Sequence, residues 1–132
     1  MAGYSGTPLP KKLGIKEQFR VALLDLPADV KGELKSALAG CQVAKDGPVD
    51  FAMIFVKNAS ELKKQFPRFS KLLARSGMLW VSWPKKASGV ASDLDENEVR
   101  RIGLEAGLVD VKVCAVNEVR SGLKFVIRLK ER

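Results

Sequence analysis

The chain has 132 residues, a net charge of +8, and 46% hydrophobic and 29% charged residues. That is one soluble-type domain, long enough to bury roughly two thirds of its unfolded surface without metal or disulfide staples. Histidine is absent, which excludes Ser-His-Asp and Cys-His nucleophiles, His-ligated zinc and imidazole proton shuttles, and leaves any catalysis to carboxylates, lysines, Tyr4 or a cofactor. No stretch approaches the roughly 18 apolar residues of a membrane span, and no charged-then-apolar leader opens the chain. Two cysteines in unrelated segments, Cys41 and Cys114, suit free thiols in a reducing compartment, so the expected location is the cytoplasm, with no membrane partner.

Met1 to Lys12 is rich in Gly, Ser and Pro without an apolar period, and reads as an arm with no regular element. Tyr4, Pro8 and Leu9 give it groups able to lie against the body; otherwise it is a disordered leader. The expected division is an N-terminal arm over 1–16 and one α/β domain over 17–132.

Phe19 to Leu26 is a short apolar run closed by Pro27, read as the first, central strand. Asp25 falls near its C-terminal end, where an acid contacts a ligand hydroxyl or caps the next helix. Ala28 to Leu38 follows as a helix, with Val30, Leu34, Ala37 and Leu38 on one face and Gly40 as its stop. Asp50 to Lys57 is a second apolar strand, with Asn58 just past its end. Ser60 to Ala74 has helical spacing, interrupted by Pro67, which predicts a kink or two short helices. Gly77 is expected to turn that helix into the next strand.

Met78 to Trp83 has the Val and Trp content of a strand buried on both faces, with Trp80 and Trp83 pointing to opposite sides as core residues. Pro84 ends it. The chain then runs into Lys85, Lys86, Ser88 and Gly89, and Asp93 with Glu96 is expected to cap a helix ending at Gly107. The acids Asp93, Asp95, Glu96 and Glu98 could form a metal cluster, but fit better as charges favoured at a helix N-terminus. Val109 to Val116 and Leu123 to Lys130 read as a closing antiparallel hairpin.

Strand, helix, strand, helix, strand, helix, hairpin predicts a three-layer Rossmann-like α/β fold: a mostly parallel sheet with helices on both faces and an antiparallel C-terminal pair. Asp25, Asn58 and Trp83 through Lys86 would then share one edge, the rim where open α/β sheets hold ligands. The candidate ligand-binding set is Asp25, Asn58, Trp83, Lys85, Lys86, Ser88, Gly89 and Asp93, with no catalytic residue and no metal ligand assigned.

Between Lys57 and Lys86 eight Lys/Arg face Glu61 alone, so one face is basic. Such a face suits an anionic small molecule, an acidic protein or nucleic acid, or else only solubility. For nucleic acid the relevant residues are Lys63, Lys64, Arg68, Lys71 and Arg75, without a helix-turn-helix or aromatic RNA motif.

The order of elements, a strand entered through a Gly turn, a helix ending in AGL and a closing hairpin resemble the later half of the Rossmann-like methyltransferase fold. LGIKEQFRVALLDLP also looks like such an enzyme's first strand, with Asp25 in the place of the acid in LDLGCG. The resemblance implies S-adenosylmethionine as a cofactor, oriented by Asp25 and Asn58. Pro27, however, stands where the first glycine should turn, no G-x-G follows, and no acid matches the ribose-binding position. Across the chain, GYSGTPLPKKLGI, WPKKASGVASDL, GLVDVKVCAV and SGLKFVIRLK resemble a family of short bacterial proteins grouped as a domain of unknown function, which implies a bacterial cytosolic protein and no particular activity. The leading expectation is a non-catalytic module binding an anionic small ligand or partner at the strand-tip edge. The alternatives are a methyltransferase with a degenerate cofactor site and a nucleic-acid binder.

Overall fold

The apolar runs form a six-stranded sheet in the order β2-β1-β3-β4-β6-β5. The computed structural model describes residues 7–132. The strands are β1 (Arg20–Leu24), β2 (Gln42–Val43), β3 (Val49–Phe55), β4 (Leu73–Pro84), β5 (Leu108–Ala115) and β6 (Arg120–Ile127). β1 to β4 pair in parallel, and β6 lies antiparallel between β4 and β5. The expected three-layer α/β fold with its antiparallel closing pair is the fold observed.

Strand alternation sends successive side chains to opposite faces, and two cores result. On one face Ala22, Ala52, Ile54, Leu79, Val81 and Phe125 pack under α3 (Ala59–Ser70) and α4 (Glu96–Glu105). On the other, Val21, Phe51, Met53 and Trp80 pack under α1 (Leu9–Leu13) and α2 (Ala28–Ala39). Trp80 and Trp83 accordingly belong to different cores, as their odd spacing requires. No described helix is long and apolar enough to cross a membrane.

Four local expectations give way. Where no element was expected before Lys12, Leu9–Leu13 is a helical turn, with Pro10 in its first turn and Gly14 closing it in the left-handed conformation. Pro tolerates that first turn because its missing N–H has no intrahelical partner there, and glycine adopts φ > 0 without strain. Leu9 and Leu13 are buried, and the Trp80 indole N–H donates to the Leu13 carbonyl at 2.9 Å, so this turn is part of the core. Tyr4 lies outside the described residues.

Pro67 sits inside one continuous helix, α3, and does not divide it into two short helices. A mid-helix proline costs about 3 kcal/mol or more. Phe66 and Phe69 are both buried beside it, and each contributes about 1.5–3 kcal/mol, enough to hold the helix on the sheet. Lys63, whose carbonyl loses its partner, is exposed and open to water.

Gly77 lies within β4 and caps no helix. The pairing of β3 with β4 shifts from Val49↔Leu73 to Phe51↔Met78, so the extra residues bulge. A Cβ at Gly77 would stand 2.7 Å from the Val49 carbonyl oxygen, an approach only glycine permits. Finally, α4 begins two residues late: Asp95 caps it, its side chain accepting from the Glu98 N–H at 2.8 Å. β2, which no apolar run announced, adds a short edge strand beside β1.

Candidate functional site at the strand tips

From β1 the chain crosses to β2 on one side, whereas β3 lies on the other and leads on to β4. The direction of winding therefore reverses between β1 and β3, and the crevice beyond the carboxyl ends of such strands is the ligand position in open α/β sheets. A cleft of about 480 Å³ opens there. Asp25 and Pro27 come to it from β1, Phe55 to Lys57 from β3, Ser82 to Pro84 from β4, and Val119 with Arg120 from the start of β6. Glu61 and Val90 complete the lining.

Asp25 follows β1 directly with φ 55°, the left-handed region in which a short polar side chain is tolerated better than most. It makes the sharp turn that a glycine would otherwise make. Its carboxylate is exposed and hydrogen-bonds to no other described residue. Pro27 then stands at the N-cap of α2, and no side chain among the described residues caps that helix. Pro27 itself lines the cleft, and the first N–H groups of α2, just behind it, keep their hydrogen-bonding capacity and partial positive charge.

Arg120 is fixed by its neighbours. Its guanidinium donates to the Asp29 carboxylate at 2.7 Å, and the Asn117 amide donates to the same oxygen at 2.7 Å. Asn117 Oδ1 in turn accepts from the Val119 and Arg120 N–H groups at 3.0 and 2.9 Å, shaping the β5–β6 turn. The turn is thus tied to the first turn of α2 across the cleft, with one edge of the guanidinium held and the rest available.

Ser82 lies on the cleft floor, 1% exposed, and its hydroxyl has no hydrogen-bond partner among the described residues. It is the one buried side-chain polar atom so left among those residues. A buried, unpaired hydroxyl costs about 1–3 kcal/mol, which a ligand accepting or donating there would recover.

Of the residues expected at a site, the structure brings Asp25 and Trp83 into the cleft lining. Asn58 caps α3, its Oδ1 accepting from the Glu61 N–H at 2.8 Å, while Glu61 reaches back to the Lys57 N–H at 2.9 Å. Asp93 accepts from the Ala59 N–H at 2.8 Å, so it caps α3 from a distance and does not cap its own helix. Lys85 to Gly89 form a tight turn beside the cleft: the Ser88 hydroxyl donates to the Lys85 carbonyl at 2.6 Å and the Gly89 N–H to that of Lys86 at 3.4 Å. Lys86 and Gly89 are exposed, and Lys85 half-buried. Sequence reasoning missed Lys57, Ser82 and Arg120. Lys57 ends an apolar run at the rim, a signal that was there to be used; Ser82 lies inside the run Met78 to Trp83, and Arg120 arrives by hairpin register, opposite Pro84, so neither had one.

No group of three or more His, Cys, Asp or Glu among the described residues is placed to hold a metal. Asp95 is a cap, and Glu96 and Glu98 pair with Arg100 and Arg101 at 2.6 Å.

No protein-family model and no curated protein sequence matches the chain. Solved structures do match in fold. A SAM-dependent methyltransferase from Aquifex aeolicus superposes with TM-score 0.62 at 15% identity, over 91% of this chain and 88% of that one. A TehB-like SAM-dependent methyltransferase from Corynebacterium glutamicum gives 0.58 at 7%, over 96% and 91%. Magnesium protoporphyrin IX methyltransferase from Synechocystis with bound SAM gives 0.59 at 12%, over 91% and 74%. At these identities the likeness is one of fold: the chain has a methyltransferase-like Rossmann architecture.

Proposed function

We propose that the protein is a non-catalytic Rossmann-like module that binds a small anionic molecule in the strand-tip cleft. The observation that carries this reading is the Ser82 hydroxyl, unpartnered among the described residues, on the floor of a cleft bordered by Arg120, Lys57 and Pro27 at the start of α2. A helix N-terminus with free N–H groups and a fixed guanidinium receive carboxylate or phosphate oxygens. Phe55, Trp83, Pro84 and Val119 supply apolar walls for the body of the ligand. Asp25 and Glu61 add acceptors at the rim, which favours a ligand carrying hydroxyl or amino groups beside its anion. Lys85 and Lys86 act at longer range, through their charge.

Thermal-shift screening with inorganic phosphate, nucleoside phosphates and di- and tricarboxylates tests the reading. Binding stabilises by about 2.7 kcal/mol at a hundredfold excess over Kd, an easily read rise in Tm. A screen in which none of these anions raises Tm at about 10 mM, well above a millimolar Kd, counts against it.

A second reading, a SAM-dependent methyltransferase with a degenerate site, is favoured by the fold neighbours, one of them solved with SAM bound. The residues fit that cofactor poorly. Pro27 offers no N–H and no glycine-like close approach, and β2 ends at Val43 with Ala44 and Lys45 following, so that the first acid, Asp46, comes three residues past the strand and not at its tip. Calorimetry with SAM and S-adenosylhomocysteine separates the two readings: heat for these and none for the simple anions selects the methyltransferase.

A further inference from the structure

Parallel strands of one sheet are ordinarily joined by a dozen or more residues that include a helix, even where, as with β2 and β3, another strand lies between them. Here β2 reaches β3 through residues 44–48 alone, with no helix between them. The sheet face over β1, beside α3, therefore lacks the helix that a crossover would lay there. A groove of about 670 Å³ remains, floored by Ala22 and walled by Val43, Ala44, Phe69 and Leu72. Val43 is 70% exposed, and Leu24, Ala44 and Leu72 stay partly exposed at the margin of the core.

The rim is basic. Lys45, Arg68 and Lys71 line the groove with no acid among its lining residues. Lys64 stands one turn before Arg68 on α3, so the helix carries a cationic stripe along that side. None of these four forms an ion pair within the described residues. Apolar floor plus one-signed rim is the complement of an amphipathic helix with acidic flanks. Duplex nucleic acid would meet the cations but leave the apolar floor unused. A second copy of this chain would bring the same positive rim, and its acids on α4 are already paired with Arg100 and Arg101.

We propose that this groove is a docking surface for an acidic amphipathic helix of a partner protein, which takes the place of the absent crossover helix. It is independent of the strand-tip cleft.

The test uses the full ¹⁵N-labelled chain and a synthetic helical peptide of roughly 18 residues, leucines at i, i+3, i+4 and i+7 and glutamates on the flanks, with a scrambled peptide of the same composition as control. The proposal expects saturable shifts confined to 43–45 and 68–72. It also expects a loss of at least about tenfold in affinity for Arg68→Glu with Lys71→Glu, and for Val43→Asp, since each removes about 1.4 kcal/mol or more. All three positions are exposed, so these variants keep the fold. Several results overturn it: equal binding of the scrambled peptide, no saturable shift at about 1 mM, well above the Kd of a specific contact, a DNA duplex taking the same residues in preference, or self-association that Val43→Asp abolishes.

Discussion

The turn after Trp83 and the cleft floor beside it contain similar chemistry and differ in what remains free. In the turn, the Ser88 hydroxyl, the Gly89 N–H and the Asp93 carboxylate are all consumed by bonds within the protein. In the cleft, among the described residues, Ser82 on the floor has no partner, Asp25 at the rim has none, and α2 starts without a side-chain cap. Residue type alone marks both places equally. Unspent hydrogen-bonding capacity is what separates a structural turn from a site, because a buried group left unpaired costs about 1–3 kcal/mol unless a ligand pairs it.

The largest expected effect is on the cleft side. Arg120→Ala should weaken an anionic ligand about 10- to 100-fold by calorimetry, the 1.5–3 kcal/mol of a charge-assisted hydrogen bond; retention within twofold would erase the contrast. Asp93→Ala should instead act on stability. Loss of the N–H acceptor at the start of α3 should cost about 1 kcal/mol in denaturant unfolding, with affinity unchanged, and an affinity loss without destabilisation would move the turn into the site.

Ser82→Ala sharpens the comparison by separating the two quantities. Removing an unpaired buried hydroxyl should leave the ligand-free protein as stable or up to about 1 kcal/mol more stable, while ligand affinity falls. A destabilised variant would show that the hydroxyl already has a structural role. The smallest effect belongs to Lys85→Ala with Lys86→Ala: stability within about 0.5 kcal/mol, and a two- to threefold affinity loss, roughly, at low salt that fades as screening increases. A larger, salt-insensitive loss would mean direct contact.

Most of the fold was legible because burial writes a period. Phe51 to Phe55 and Leu79 to Trp83 are too short for buried helices and read as strands with two covered faces, and Val99, Ile102 and their flanking charges read as an amphipathic helix. Misreadings came where tertiary packing overrode a local rule: Pro67 kept in a helix by Phe66 and Phe69, Gly77 needed for backbone approach to Val49, Leu9–Leu13 folded against Trp80. For the site, the strand-tip rim was readable, since it follows from the order of elements. Its chemistry was not, because Asn58 and Asp93 look like ligand groups in one dimension and are spent on the same helix end in three.

Binding in the strand-tip cleft is read out by titrating the ¹⁵N-labelled protein with the anion that raises Tm most, and following backbone amide shifts. A ligand in the cleft gives saturating shifts centred on Asp25, Ala28 to Val30, Lys57, Ser82 and Arg120, with small changes at 85–89. Shifts centred on 85–89, with the cleft residues unmoved, would contradict it.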